Sequence, residues 1–308
     1  MSTEPKRVSI TGGTGFVGSH IIQALLAKHF EVRALARNPN QAALNHPSLK
    51  FVPGDLHSTD VLNNLLSDAN YVIHCAGRVR GATQQQFDHD NVEGTQNIID
   101  ACKQAGSLKK LIIISSLAAR EPEISYYSSS KKDAEELISN IDFARWSIIR
   151  PPAVYGPNDR ELLPLFNWMK KGILWIPGNL EQKFSLIHAY DLAEFTIHQM
   201  LSHTSGEILE PDDGEHYDWT LISQLCSEIF NRKIRKIIIP KTALSFVANL
   251  NVLLSSLVNY TPMLTPSKVR ELMHEDWLAK GIDPSYGWTA KVDLKQGLGT
   301  IYSSLSNT

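Results

Sequence analysis

Residues 8–18 read Val8-Ser9-Ile10-Thr11-Gly12-Gly13-Thr14-Gly15-Phe16-Val17-Gly18. A short β-prone run enters a Gly-x-x-Gly-x-x-Gly turn. Ile21, Ile22, Leu25 and Leu26 then recur at helical spacing over His20–Lys28. A glycine pattern alone is weak evidence, but between a strand and a helix it has the context a phosphate cradle needs. Gly12 permits the tight turn, Gly15 lets backbone N–H groups approach a pyrophosphate, and Gly18 allows close packing of helix on sheet. The first helical residues, Phe16 and Val17, stand where a helix N-terminus offers partial positive charge to phosphates.

Outward from this turn the first half alternates two periods. Strand-like runs fall at Glu31–Leu35, Leu49–Val52, Tyr71–Cys75, Leu111–Ile114 and Trp146–Ile149, with helical patterns at Val61–Leu66, Val92–Gln104 and Lys131–Ser139. Alternation of this kind predicts βαβ units and a parallel sheet, and continuous apolar strands suit a sheet covered on both faces. After Arg150 the pattern breaks at Pro151, Pro152, Pro157, Pro164 and Pro177. Ser185–His188 and Gly206–Leu209 read as further strands, with a helix over Asp191–Leu201 between them. The expected fold class is α/β: a Rossmann-type doubly wound parallel sheet with a smaller, mostly helical C-terminal substrate-binding region. A dinucleotide-binding domain is expected over 1–150 and the substrate-binding region over 151–308, with about 184–210 returning to the Rossmann core.

Composition narrows the function classes. The chain has 308 residues, 43% of them hydrophobic, and a net charge of -2 from Lys+Arg 30 against Asp+Glu 32. That excludes a disordered chain and gives no basic field for nucleic acid. Cys75, Cys102 and Cys226 are far apart with no CxxC pair, which argues against a metal site or a disulfide framework and for a reduced, cytoplasmic setting. The polar N-terminus is unlike a secretory signal, and no run has the ~20 apolar residues of a spanning helix.

The ordered set of motifs carries a resemblance. It comprises the glycine turn, Gly54-Asp55-Leu56, His74-Cys75-Ala76-Gly77, Asn91-Val92-Glu93-Gly94-Thr95, Ser115-Ser116, Tyr127-x-x-x-Lys131, Arg150 to Pro157 and His188-x-x-Asp191. It resembles the extended short-chain dehydrogenases/reductases, the NAD(P)-dependent epimerase/dehydratase-like family. The pattern is nearest to 3β-hydroxysteroid dehydrogenase and dihydroflavonol reductase-like members. The resemblance implies a Ser–Tyr–Lys triad of Ser116, Tyr127 and Lys131. It also implies adenine contacts at Asp55 and Leu56 and a backbone lining at Cys75, Ala76 and Gly77. The proline-rich stretch holding Pro151, Ala153 and Val154 is expected to shape one wall of the nicotinamide pocket. Asn91 is expected to start a helix, capping it, and to support Lys131 from behind. His188 and Asp191 are expected to serve domain packing and helix capping.

The residues give their own reading of the chemistry. Tyr127 and Lys131 stand at i and i+4 on one helix face, so an ammonium can lower the pKa of a phenol that would otherwise be about 10. Tyr126 has Ser130 at that spacing and Lys132 lies off the face, while Ser115 points to the other side of the strand end. At the end of the second strand, where an acid would hold a ribose 2′-OH, the chain has Arg37. A guanidinium pairs with a 2′-phosphate, so NADP is favoured over NAD. Ser116-Leu117-Ala118 lacks the acid that dehydratases carry. Arg120-Glu121 and Ala153 depart from epimerase usage. The expected function is an NADP-dependent oxidoreductase moving a hydride to or from a secondary alcohol or carbonyl of a small, apolar substrate. A nucleotide-sugar epimerase is the alternative, and a non-catalytic NADP-binding sensor or scaffold the second.

Two apolar stretches remain. Leu162, Leu163, Phe166, Trp168, Ile173, Leu174 and Trp175 are expected to form mostly the core of the small domain, a few lining a substrate pocket. Thr242–Tyr260 lacks charge, with Phe246, Val247, Leu250, Leu253, Leu254 and Leu257 at helical spacing and Asn249, Ser256 and Asn259 on the other face. Packing inside the small domain is the plainer reading. A homodimer contact, a peripheral membrane face and a lid over an apolar pocket stay open.

Overall fold

The computed structural model describes residues 6–42, 44–258 and 264–305. The first half holds strands β1 (Arg7–Thr11), β2 (Glu31–Ala36), β3 (Leu49–Pro53), β4 (Tyr71–His74), β5 (Lys110–Ile114) and β6 (Arg145–Ile149). Its helices are α1 (Phe16–Ala27), α2 (Thr59–Leu66), α3 (Gln84–Phe87), α4 (Gly94–Gln104) and α5 (Tyr126–Ser139). The second half opens with β7 (Ala153–Tyr155), α6 (Leu163–Lys170), β8 (Ile173–Pro177), β9 (Lys183–Phe184), β10 (Leu186–His188), α7 (Ala189–Leu201) and β11 (Glu207–Leu209). It continues through β12 (Tyr217–Asp218), α8 (Trp219–Ile229), β13 (Arg235–Ile239), α9 (Lys241–Val258), α10 (Pro266–Leu272), β14 (Asp276–Trp277) and α11 (Leu294–Leu305).

Seven parallel strands make one sheet in the order β11-β6-β5-β4-β1-β2-β3. Every residue of β4 and β5 is buried, as expected of strands covered on both faces. Ile21, Ile22 and Leu25 of α1 pack with Leu192 and Phe195 of α7 on one side. Leu62 and Leu65 of α2, Ile98 of α4 and Ile138 of α5 cover the other. The strand order reverses between β1 and β4. Carboxyl ends at such a switch point open a crevice between loops that diverge to opposite faces.

Four details differ from the sequence reading. Residues 186–188 do form a strand, but it pairs with β7 outside the main sheet, while β11 extends that sheet beside β6. Helical structure starts before Val92: α3 leads through a π-helical turn, Asp88–Glu93, into α4. Asn91 therefore lies inside the helical stretch and caps nothing; Thr83 caps its start, accepting the Gln86 N–H. The C-terminal region also carries short strand pairs, β8 with β13 and β9 with β12 and β14. Phe166 and Leu174 are buried in a separate core of the C-terminal region, with Met169 and Ile176, whereas Trp168 and Trp175 are exposed.

The apolar stretch after residue 241 also departs from the plainer expectation. Phe246, Val247, Leu250, Leu253 and Leu254 are all exposed, and α9 packs inward through Ala248. The side chains of Ser256, Leu257, Asn259 and Tyr260 lie outside the described residues. No helix among the described residues is long and apolar enough to cross a membrane.

Candidate active site

Glycine is required at two positions of the β1–α1 turn. Gly12 has φ +72, and a Cβ there would sit 2.6 Å from Ala76 N. A Cβ on Gly18 would sit 2.2 Å from the Gly12 carbonyl oxygen, so α1 can meet the turn only without one. Gly15 is the N-cap of α1; it offers no side-chain cap, and the first turn holds no acid. The backbone N–H groups at Phe16 and Val17 are therefore left for an external anion. This cradle fits a dinucleotide pyrophosphate. Arg37 follows the last residue of β2, is exposed, and has no hydrogen-bond or ion-pair partner among the described residues. Arg33, earlier on the strand, is instead held by Asp68 at 3.0 Å. Beyond β3, Asp55 accepts from the His57 N–H at 2.9 Å and the Ser58 hydroxyl at 2.8 Å. The Ser58 bond is the main cause of a carboxyl held below its ordinary range. Leu56 is buried beside Gly94.

The floor of the crevice is a directed chain of hydrogen bonds. The Ala76 N–H donates to Thr11 Oγ1 at 3.2 Å, and that hydroxyl meets His74 Nδ1 at 2.7 Å. His74 Nε2 meets Thr95 Oγ1 at 3.1 Å, and Thr95 donates to the Asn91 carbonyl at 2.6 Å. With both hydroxyl protons placed this way, the ring carries its proton on Nε2. Burial pushes His74 down to about 3, so it stays neutral. Cys75 goes the opposite way, its thiol raised to about 11 by burial, which removes it as a nucleophile. Gly77 is exposed next to it.

His74 yields a stability prediction. Its folded pKa is depressed, so the unfolded chain binds a proton first as pH falls below ~6.5. Stability present above that pH is lost toward about 3. The loss should run at up to about 1.4 kcal/mol per pH unit relative to His74→Asn, which lacks the ring. Urea unfolding of both proteins at pH 7 and pH 5 measures it; parallel curves would remove His74 as the cause.

Above the floor, α5 carries Tyr127, Lys131 and Glu135 on one face, at successive four-residue steps. Tyr127 is partly buried, and Ser116 lies just past β5, its hydroxyl accepting the Ala118 N–H at 3.2 Å and close enough to bear on the phenol. Lys131 is buried and its ammonium donates to the Ile114 carbonyl at 2.8 Å. Tyr126 is 41% exposed on the outer side. Contrary to the expected lowering, Tyr127 is raised to about 12. Burial is the main cause, opposed by the Ser116 hydroxyl and reinforced by Glu271, Cys75 and Glu135. Lys131 itself is lowered, chiefly by burial. Asn91 is buried, accepts the Arg78 N–H at 2.6 Å and donates to Ser130 Oγ at 2.8 Å, next to Lys131 in sequence. Ser115, on the other side of the strand end, donates to the buried Glu135. Arg150 holds the same carboxylate with two bonds of 2.9 and 2.6 Å.

The remaining expected residues are placed as follows. Pro151 is buried and its carbonyl accepts the Leu117 N–H at 2.9 Å; Ala153 is exposed and Val154 partly buried. Asp191 does not cap α7: the His188 ring does, accepting the Tyr190 N–H, while Asp191 accepts the Val292 N–H at 2.9 Å. Helix α10 is a part of the site that the sequence reading missed. Ser267, Lys268 and Glu271 of that helix face Val79, Phe87 and Tyr127 across a small cleft. Lys268 and Glu271 pair at 2.7 Å. The Thr265-Pro266 start is a legible helix signal, but nothing in its spacing says that it reaches Tyr127.

Residues 8–210 match the family model for the NAD dependent epimerase/dehydratase family. A ceramide reductase of Caulobacter vibrioides is 32% identical over 316 residues, covering 98% of this chain and 98% of the relative. Human sterol-4-alpha-carboxylate 3-dehydrogenase, decarboxylating, is 29% identical over 228 residues, 67% of this chain and 57% of the relative. Among solved structures, MoeE5 in complex with UDP-glucuronic acid and NAD is similar at TM-score 0.74 and 20% identity, covering 98% of this chain and 100% of that one. Thermotoga maritima UDP-glucose 4-epimerase with UDP-glucose gives 0.75 and 18%, covering 98% and 99%. At such identities these structures share the fold alone. Across about two-thirds of its length the chain carries the family's signature, and it belongs to the NAD dependent epimerase/dehydratase family, as an NAD(P)-dependent enzyme of the extended short-chain dehydrogenase/reductase type.

Proposed function

We propose that this enzyme is an NADP(H)-dependent reductase that turns a carbonyl of a ceramide-type lipid into a secondary alcohol, with Ser116, Tyr127 and Lys131 as its working groups. The observation that carries the reading is the partly buried Tyr127 one helical turn from the buried Lys131, whose ammonium reaches the Ile114 carbonyl at the carboxyl end of β5, with Ser116 just beyond. The full-length likeness to a ceramide reductase supplies the substrate class. A nicotinamide dinucleotide held at the β1–α1 turn by the backbone of Gly15, Phe16 and Val17 would supply the hydride. Tyr127 gives its proton to the carbonyl oxygen, and Ser116 donates a hydrogen bond to the same oxygen. Lys131 stabilises the phenolate left behind and holds the ribose. A phenol pushed up to about 12 is a proton donor throughout the neutral range, which suits reduction better than alcohol oxidation. The three unpaired cysteines fit a cytoplasmic setting.

The test is NADPH consumption with keto-ceramide lipids, steroid ketones and UDP-sugars offered separately. Turnover of the lipid ketone is expected. Epimerised UDP-sugar without net NADPH loss would replace this reading with the nucleotide-sugar one.

Arg37 selects the cofactor in this scheme. Arg37→Ala should weaken NADPH binding by about 1.5–3 kcal/mol, the range for hydrogen bonds to charged groups, and leave NADH nearly unchanged. Fluorescence titration reads both. Equal affinities for the two cofactors in the unmutated protein would refute it.

A further inference from the structure

We propose that the outer face of α9 is a docking surface for an anionic lipid bilayer, setting the cleft at Tyr127 beside the membrane. Phe246 is 71% exposed, Leu253 60%, Val247 52%, Leu250 45% and Leu254 43%. Residues 246, 250, 253 and 254 recur at helical spacing, so they form one stripe. The opposite face is engaged: Ala248 is fully buried, and Asn251 donates to the Leu264 carbonyl at 2.9 Å.

Charge says what covers the stripe. From 229 to 270 the chain carries seven basic residues, Arg232, Lys233, Arg235, Lys236, Lys241, Lys268 and Arg270, and no acidic one. The whole chain is at -2, so this positive segment is set against an otherwise acidic molecule. Arg232, Lys233, Arg235, Lys236 and Lys241 are exposed along the approach to α9 and at its start. A second copy meeting this face about a two-fold axis would bring two such positive segments together. Anionic head groups above a hydrocarbon layer satisfy both the basic residues and the apolar stripe. The surface is continuous with the site, because α9 packs on α10 and α10 walls the cleft opposite Tyr127. This goes beyond the reductase reading, and its test uses neither substrate nor cofactor.

The full chain is floated with vesicles of phosphatidylcholine containing phosphatidylglycerol, and with phosphatidylcholine alone. Binding to the anionic vesicles, weakened by salt, is expected. Phe246→Glu with Leu253→Glu should cut partitioning at least ~30-fold. Arg235→Glu with Lys236→Glu should cut it at least ~10-fold on anionic vesicles only. No flotation of the wild type, or equal flotation of a natively folded stripe variant, overturns the proposal. So does a dimer, seen by sedimentation, that the stripe variant dissolves without any lipid binding by the wild type. If the stripe variant does not fold, Phe246→Cys carrying an environment-sensitive dye decides: a blue shift on anionic vesicles supports docking, and no shift overturns it.

Discussion

Tyr127→Phe should lower turnover by about 10²–10⁴-fold and leave NADPH affinity unchanged, because it deletes the hydroxyl that gives the proton and keeps the ring. Burial holds the hydroxyl in its neutral form, up to about 12. In the reductive direction the rate through this group should stay level from neutral pH until the phenol ionises. In the oxidative direction the phenolate is the active form, so that rate should climb with pH over the same range. Tyr126→Phe, on the exposed outer side of the helix, should change little. Steady-state rates in both directions, with NADPH titration of each variant, test the assignment. An unchanged kcat in Tyr127→Phe would end it.

Glu135→Ala should destabilise the protein by about 3–5 kcal/mol, the range for removing one partner of a buried ion pair. Glu135 and Arg150 are nearly dry, with side-chain exposures of 1% and 12%, and are joined at 2.6 Å. Ser115 loses its acceptor too. Glu210, at 3.5 Å from Arg150, is too distant to replace a two-bonded carboxylate. Chemical unfolding at neutral pH gives the number. A loss under about 1 kcal/mol would mean that Glu210 or water takes over.

Much of the frame was legible because it rests on local rules. Val8–Thr11 followed by Gly12, Gly15 and Gly18 dictates strand, turn and helix from backbone sterics alone. The four-residue step from Tyr127 to Lys131 needs only helix geometry. What was not legible is tertiary. The rise of Tyr127 comes chiefly from burial, with the charge of Glu271 of α10, distant in sequence, adding to it. The π-helical turn at Asp88–Glu93 adds one residue to a helical period and leaves the apolar pattern almost unchanged, so Asn91 reads as a cap. Leu186–His188 has strand composition, but its partner β7 follows from the fold rather than from its own residues. The stripe on α9 has the periodicity of a core helix, and periodicity does not say which side faces water.

The single helix α5 supports the chemistry and also anchors it. Tyr127, Lys131 and Glu135 are separated by the pitch of one helix, about 6 Å per four residues, with each step turning only ~40° from the last. Glu135 is gripped by β5's end and by Arg150, so the helix works as a ruler whose zero mark is fixed at the far end. Point changes on its outer side leave the scale intact. A single-residue insertion between 128 and 134 does not: it would swing Tyr127 by about 100° and move it ~1.5 Å along the axis relative to that anchor. The length of this segment is thus constrained far more tightly than its composition, whereas insertions in surface loops leave the scale untouched.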